Sequence, residues 1–192
     1  MALNPAPLCG IVGKKKAKAG NGGEAGMIET ERLCLREMRE SDYEMLFRVL
    51  GDPAIMRHYP YAFDEARVRG WIETNRERYR VFGFGLWALC RKETGEVIGD
   101  CGLTMQNIHG SIRPEIGSHV RADQQRRGYA KEAAAAVRDW CFANTPFRVV
   151  YSYMKTANVA SAKTAESIGM RLAGTYTDED GDETSVYAVE KR

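Results

Sequence analysis

The six residues Gln125-Arg126-Arg127-Gly128-Tyr129-Ala130 lie between a strand-like run and an Ala-rich helical run. A loop in that position ends on a helix N-terminus. Several backbone N–H groups there have no intrahelical partner, and the helix dipole adds positive potential. Gly128 lets backbone approach a ligand without a Cβ in the way, and Ala130 is small for the same purpose. Arg126 and Arg127 add charge-assisted donors. Together these groups suit a phosphate or pyrophosphate. Taken alone, the stretch reads equally well as an ordinary helix start. The sequence contains no G-x-x-x-x-G-K-[ST] and no G-x-G-x-x-G after its first strand, so neither a P-loop nor a Rossmann dinucleotide site is indicated.

The elements that must position this loop follow from periodicity. Residues 31–38 alternate polar and apolar, which predicts a strand. Ser41 with Glu44 has capping-box spacing and predicts a helix to about Leu50, broken by Gly51-Asp52-Pro53. Asp64 is placed to cap a second helix over 65–80, stopped by Gly83 and Gly85. Strands are expected over 85–91, 97–105, 112–121 and 148–154, with helices over 127–142 and 158–168. Gly169 closes the last helix. Residues 170–177 and 184–190 form a closing hairpin around Asp180-Gly181. The aspartates of that turn resemble a calcium loop only superficially, since neither the sixth-position Gly nor the twelfth-position Glu of an EF-hand is present. The order implies an α/β chain with helices packed on a mixed sheet.

Composition sets outer bounds. The 192 residues are 44% hydrophobic and 28% charged, which fits one globular domain. Net charge is +2, and residues 1–26 carry +3 of charge, so 27–192 carry −1. The body has no basic bias, and no nucleic-acid role can rest on it. Residues 1–26 hold six of the 19 glycines and the Lys14–Lys18 cluster. They read as a disordered tail or a misassigned start ahead of Met27. A sharper reading makes the lysines a nucleic-acid or anionic-surface arm. The five cysteines form no C-x-x-C pair, so neither a disulfide framework nor a zinc site is expected. No apolar run is long enough to span a membrane, and no secretory signal is evident. A reduced, cytoplasmic setting fits best.

Residues 125–130 match the [Q/R]-x-x-G-x-[G/A] pattern of the GNAT superfamily of N-acetyltransferases. Further segments resemble the same family in order. Glu31-Arg32-Leu33-Cys34-Leu35-Arg36 resembles the E-R-L-x-L-R opening strand of its ribosomal-protein N-acetyltransferase branch. Ile98-Gly99-Asp100-Cys101-Gly102-Leu103 resembles its I-G-x-x-G-L strand, and Glu115-Ile116-Gly117 its E-I-G strand. Asn158, Ser161, Glu166, Gly169 and Met170 fit N-x-x-S-x-x-x-x-E-x-x-G-[F/M]. The resemblance covers nearly all of 27–192.

It implies a twisted, mostly antiparallel mixed sheet of about seven strands with helices on both faces. The fourth and fifth strands splay around a cleft for acetyl-CoA, the co-substrate, and no metal is implied. Val120 and Arg121 would supply backbone contacts to the pantetheine. Gln125, Arg126, Arg127, Gly128, Tyr129 and Ala130 would hold the pyrophosphate. Asn158 would lie near the thioester and Ser161 on the coenzyme side. Alternation puts Glu115, Gly117 and His119 on one strand face. Glu115 is the first candidate base and His119 the second, each also readable as a structural residue. Asn158 also reads as a plain helix cap. Many relatives place a tyrosine acid seven residues after this asparagine, where this chain has Ala165. The acid is then absent, is water, or comes from elsewhere, with Tyr153 and Ser161 as possibilities. Tyr59-Pro60-Tyr61 falls in a region that often lines the acceptor site, and otherwise reads as a loop. The implied acceptor is a protein N-terminus or a small-molecule amine, and the protein a monomer or homodimer. A coenzyme-binding module without transfer activity is the competing reading, supported by Ala165.

Overall fold

The computed structural model describes residues 28–192, so the expectations for the 1–26 tail lie outside the described residues. Eight strands form one sheet: β1 (Ile28–Glu29), β2 (Leu33–Arg36), β3 (Leu86–Arg91), β4 (Val97–Ile108), β5 (Ser111–Val120), β6 (Val149–Lys155), β7 (Arg171–Thr177) and β8 (Glu183–Glu190). Their spatial order is β1-β2-β3-β4-β5-β6-β8-β7. Every neighbouring pair is antiparallel except β5 and β6, which run parallel. Four helices pack on it: α1 (Tyr43–Leu50), α2 (Glu65–Phe82), α3 (Tyr129–Asn144) and α4 (Val159–Ser167).

The central strands are buried on both faces, so period-2 alternation sorts their side chains between two cores. Leu86, Ala88 and Cys90 of β3 face α1 and α2, together with Leu46, Leu50, Val68 and Ile72. Trp87 and Leu89 face α3 and α4, together with Ala133, Val137, Cys141 and Ile168. The indole of Trp87 meets that of Trp140 edge-on at 5.0 Å between centroids.

Two expectations at the start of the chain need correction. The opening segment is a hairpin, not one strand: Ile28 pairs with Leu35 across a turn at Thr30. The Thr30 hydroxyl accepts from the Leu33 N–H at 2.9 Å and fixes that turn, which brings the strand number to eight. Ser41 does not cap the first helix. It lies within a 3-10 turn over Glu40–Asp42, and the Asp42 carboxylate accepts from the Arg39 N–H at 2.8 Å instead. Asp42 also pairs with Arg36 at 2.7 Å, a bond Ser41 has no charge to make.

Asp64 does cap α2, accepting from the Arg67 N–H at 2.8 Å. Asp64→Ala should cost about 1 kcal/mol, an N-cap's usual contribution. Thermal unfolding should then fall by roughly 2–4 °C. An unchanged midpoint would mean that the α2 start is held by packing alone.

Candidate active site

β4 and β5 pair in continuous register from Gly99–Val120 to Ile108–Ser111. β5 and β6 share one registered pair, Glu115 with Tyr151. Beyond it the two strands part, and a cleft of about 620 Å³ opens. Its walls include Glu115, Gly117 and His119 of β5, Tyr153 of β6, and Asn158 and Ser161 at the start of α4. Tyr59 and Trp71 close it from the α1–α2 side. The expected splay is therefore present.

Register explains the site's inner wall. Asp100 lies opposite His119 and Thr104 opposite Glu115, so all four share the face toward α2. Glu115 is buried, and one carboxylate oxygen accepts from the Thr104 hydroxyl at 3.1 Å. A Cβ at position 117 would sit 3.2 and 3.3 Å from the two Glu115 oxygens, so Gly117 leaves that carboxylate its space. Burial pushes the Glu115 pKa up to about 7, against smaller lowering by Thr104, His119 and Arg78. That is the range of a general base working at neutral pH.

His119 is held at both ring nitrogens. Its Nδ1 is 2.8 Å from Asp100 Oδ1 and its Nε2 is 2.8 Å from the Tyr59 hydroxyl. Asp100 is fully buried and also accepts from the Trp71 indole N–H at 2.9 Å. Burial would lower the His119 pKa, but Tyr59 and the Asp100 carboxylate outweigh it. Tyr59 attracts the imidazolium through charge only as a phenolate, so near neutrality the Asp100 carboxylate is the group that holds the proton on the ring. At neutral pH this favours the imidazolium, which leaves Glu115 as the better base of the two.

The 125–130 loop lies past the end of β5, outside the cleft wall. Arg126 (φ 61°) and Gly128 (φ 82°) both take left-handed backbone, a geometry that turns successive N–H groups into an anion-binding concavity. The first helical bond is Glu132 N–H to Gly128 C=O at 3.0 Å. The N–H groups of Tyr129, Ala130 and Lys131 thus precede any intrahelical acceptor. Arg126, Arg127 and Gly128 are exposed beside them. These groups fit a pyrophosphate.

Other residues of the loop act as braces. Gln125 donates its amide to Val120 C=O at 2.8 Å. Tyr129 is buried, its ring 4.7 Å beneath the Arg32 guanidinium. The Arg121 N–H is already spent on Ile98 C=O at 2.9 Å, and its guanidinium pairs with Glu96 and Asp123. Alternation turns the Val120 N–H the other way, toward the gap between β5 and β6. Asn158 does cap α4, its Oδ1 accepting from the Ser161 N–H at 3.2 Å, and it faces the cleft as well. Lys155 fills the turn of the last hairpin, bonding Asp178 at 2.6 Å and Asp182 at 2.9 Å.

Sequence reasoning missed Arg32, Asp100 and Trp71. Arg32 reaches from the first hairpin to donate to Arg127 C=O at 3.0 Å and Glu132 at 2.7 Å. Arg32→Ala should therefore loosen the loop and weaken acetyl-CoA binding by about tenfold, or roughly 1.4 kcal/mol. Turnover at saturation should be unchanged. Equal affinity in a calorimetric titration would show that the loop holds its shape unaided. Asp100 did carry a signal, as a lone carboxylate in an apolar strand.

A family model described as an acetyltransferase (GNAT) domain matches residues 32–171. The uncharacterized protein YkkB of Bacillus subtilis (strain 168) is 35% identical over 149 residues, covering 77% of this chain and 87% of the relative. A crystal structure of an acetyltransferase from Agrobacterium tumefaciens strain C58 superposes with a TM-score of 0.73 at 28% identity. It covers 91% of this chain and all of the other. A ribosomal L7/L12 alpha-N-protein acetyltransferase, RimL, solved with coenzyme A, shares the fold at a TM-score of 0.69 and 19% identity, covering 84% and 95%.

Proposed function

The chain belongs to the GNAT acetyltransferase family, and from that premise we propose that it moves an acetyl group from acetyl-CoA to a primary amine by direct attack in a ternary complex. The observation that carries this reading is Glu115, a carboxylate buried on the cleft wall where β5 and β6 part, with burial pushing its pKa up to about 7. An acceptor arrives as an ammonium and needs a base within the cleft before its nitrogen can attack. Glu115 takes that proton, directly or through one water. The Val120 N–H faces the gap and serves the oxyanion. Gly128, Tyr129 and Ala130 hold the pyrophosphate through their N–H groups, and Arg126 and Arg127 add charge. Asn158 and Ser161 line the route of the pantetheine. Much of the rate enhancement then comes from holding amine and thioester together.

The acceptor is a protein N-terminus or a small-molecule amine. The opening E-R-L-x-L-R segment favours the ribosomal-protein branch, and fold alone does not choose between acceptors. The test is thiol release from acetyl-CoA across a panel of amines and N-terminal peptides. Amine-dependent release, matched by acetylated product, is the expected outcome. A folded protein that binds acetyl-CoA yet releases no thiol with any amine would be a binding module, as Ala165 alone would suggest.

A further inference from the structure

We propose that Tyr59 is the acid that protonates the departing coenzyme A sulfur, with His119 and Asp100 behind it as its proton supply. This rests on the acetyl-transfer reading above. The position where the family resemblance places a tyrosine acid holds Ala165, which is buried and has no proton to give.

Geometry singles out Tyr59. It comes from the segment between α1 and α2, is 46% exposed, and lines the same cleft as Glu115 and Asn158. Its hydroxyl is the outer end of a continuous chain: Tyr59 Oη to His119 Nε2 at 2.8 Å, then His119 Nδ1 to Asp100 Oδ1 at 2.8 Å. Asp100 is anchored from two more sides, by the His119 backbone N–H at 3.1 Å and the Trp71 indole N–H at 2.9 Å. Three donors on one fully buried carboxylate are what an ionised group requires. The His119 imidazole lies directly against Asp100 and balances its charge when protonated.

The protonation state of His119 decides where the phenol proton points. When the imidazole is neutral, with its proton on Nδ1, Nε2 must accept, and the Tyr59 O–H is turned inward. When both nitrogens are protonated, Nε2–H donates to the phenol oxygen, and the Tyr59 O–H is released toward the cleft. The buried Asp100 carboxylate favours the second state. Tyr153 of β6 and Tyr176 of β7 also line the cleft, but burial pushes the Tyr153 pKa up to about 12, and the Tyr176 ring lies against His109 rather than a histidine backed by a buried carboxylate.

The proton balance closes. The amine nitrogen bonds to the acyl carbon, the C–S bond breaks, and its electron pair stays on sulfur. Tyr59 gives that sulfur its proton and receives one from His119 Nε2. His119 is left neutral, its remaining proton on Nδ1 and hydrogen-bonded to Asp100. Glu115 has taken the ammonium proton, and the nitrogen sheds a second proton to solvent as the intermediate collapses to the amide. Glu115 then gives its proton to solvent and His119 takes one up, so one proton is released overall.

Tyr59→Phe keeps the ring against His119 and removes only the hydroxyl. Hydroxylamine serves as a minimal acceptor. With acetyl-CoA, turnover should fall about 100-fold, within the usual range for a lost general acid, at unchanged coenzyme affinity. With acetyl-seleno-CoA, whose selenolate leaves without a proton, the deficit should shrink to about threefold or less. His119→Gln should show the same sulfur-specific loss, in smaller measure. An equal deficit with both donors, or none, would assign Tyr59 to packing and overturn the proposal while acetyl transfer stands. A wild type that transfers nothing to any acceptor would overturn both. A readout independent of turnover is side-chain nitrogen NMR of His119. Two protonated nitrogens at pH 7 are expected, and a neutral ring would remove the proton supply and the proposal with it.

Discussion

Gly128→Glu is expected to lose at least 100-fold in acetyl-CoA affinity while the protein stays folded. Two effects add. Gly128 holds φ 82°, a left-handed conformation that costs an L-residue roughly 1–2 kcal/mol. The larger effect is occupancy and charge. A Cβ there would stand 3.4 Å from Arg32 Nη2, and a carboxylate built on it lies among the N–H groups and arginines meant for the pyrophosphate. It would neutralise their field and repel a ligand carrying several negative charges. Circular dichroism should match wild type, since the backbone of α3 beyond Ala130 is unaffected. Wild-type affinity in such a folded variant would remove the loop from the coenzyme site.

Glu115→Gln carries the other large effect, and it should move activity and stability in opposite directions. Turnover should fall at least 100-fold, the usual loss for a general base, with acetyl-CoA affinity unchanged because Glu115 lies apart from the 125–130 loop. Wild-type turnover should decline as pH falls through about 7, where Glu115 takes up its proton. That break should vanish in the variant. Stability runs the other way. The folded state holds the Glu115 proton more tightly than the unfolded chain, so its contribution is fully present below the usual carboxylate value near 4.5. It is lost as pH rises toward about 7. Above pH 7 the wild type carries a buried charge worth up to roughly 3 kcal/mol of destabilisation. Glu115→Gln should therefore melt higher than wild type at pH 8 and about equally at pH 4.5. Unchanged turnover at all pH values would exclude Glu115 as the base, and a lower melting point at pH 8 would mean that the Thr104 bond outweighs the cost of burial.

Much of the scaffold was legible because it is local. Strand alternation, the Asp64 cap and the Gly169 stop each act within a few residues, so β3, β4, β5, α2 and α4 fall within a few positions of expectation. The loop at 125–130 was legible for the same reason: its chemistry is set by a glycine, two arginines and a helix start in sequence. Less legible were features made by pairing across long separations. Ser41 had the right spacing for a cap, but Asp42 held the stronger bond through Arg36. Residues 31–38 read as the opening strand, and the short β1 ahead of it was not legible because Thr30 closes the turn with a side-chain bond that no period reveals. Gln125, Tyr129 and Arg121 were read as coenzyme contacts, and their side chains and the Arg121 N–H have partners within the protein that only the fold supplies. The Tyr59–His119–Asp100 chain joins residues 60 and 19 positions apart, and only the β4–β5 register with the α1–α2 segment above it brings them together.

Acetyl transfer needs a coenzyme site formed by the loop and the parted strands, and calorimetric titration of the purified protein with acetyl-CoA reads that site out. One site per chain with a micromolar Kd, about 8 kcal/mol of binding, is expected. A folded sample that takes up no acetyl-CoA would contradict it, leaving residues 125–130 as a helix start and Glu115 without a thioester to serve.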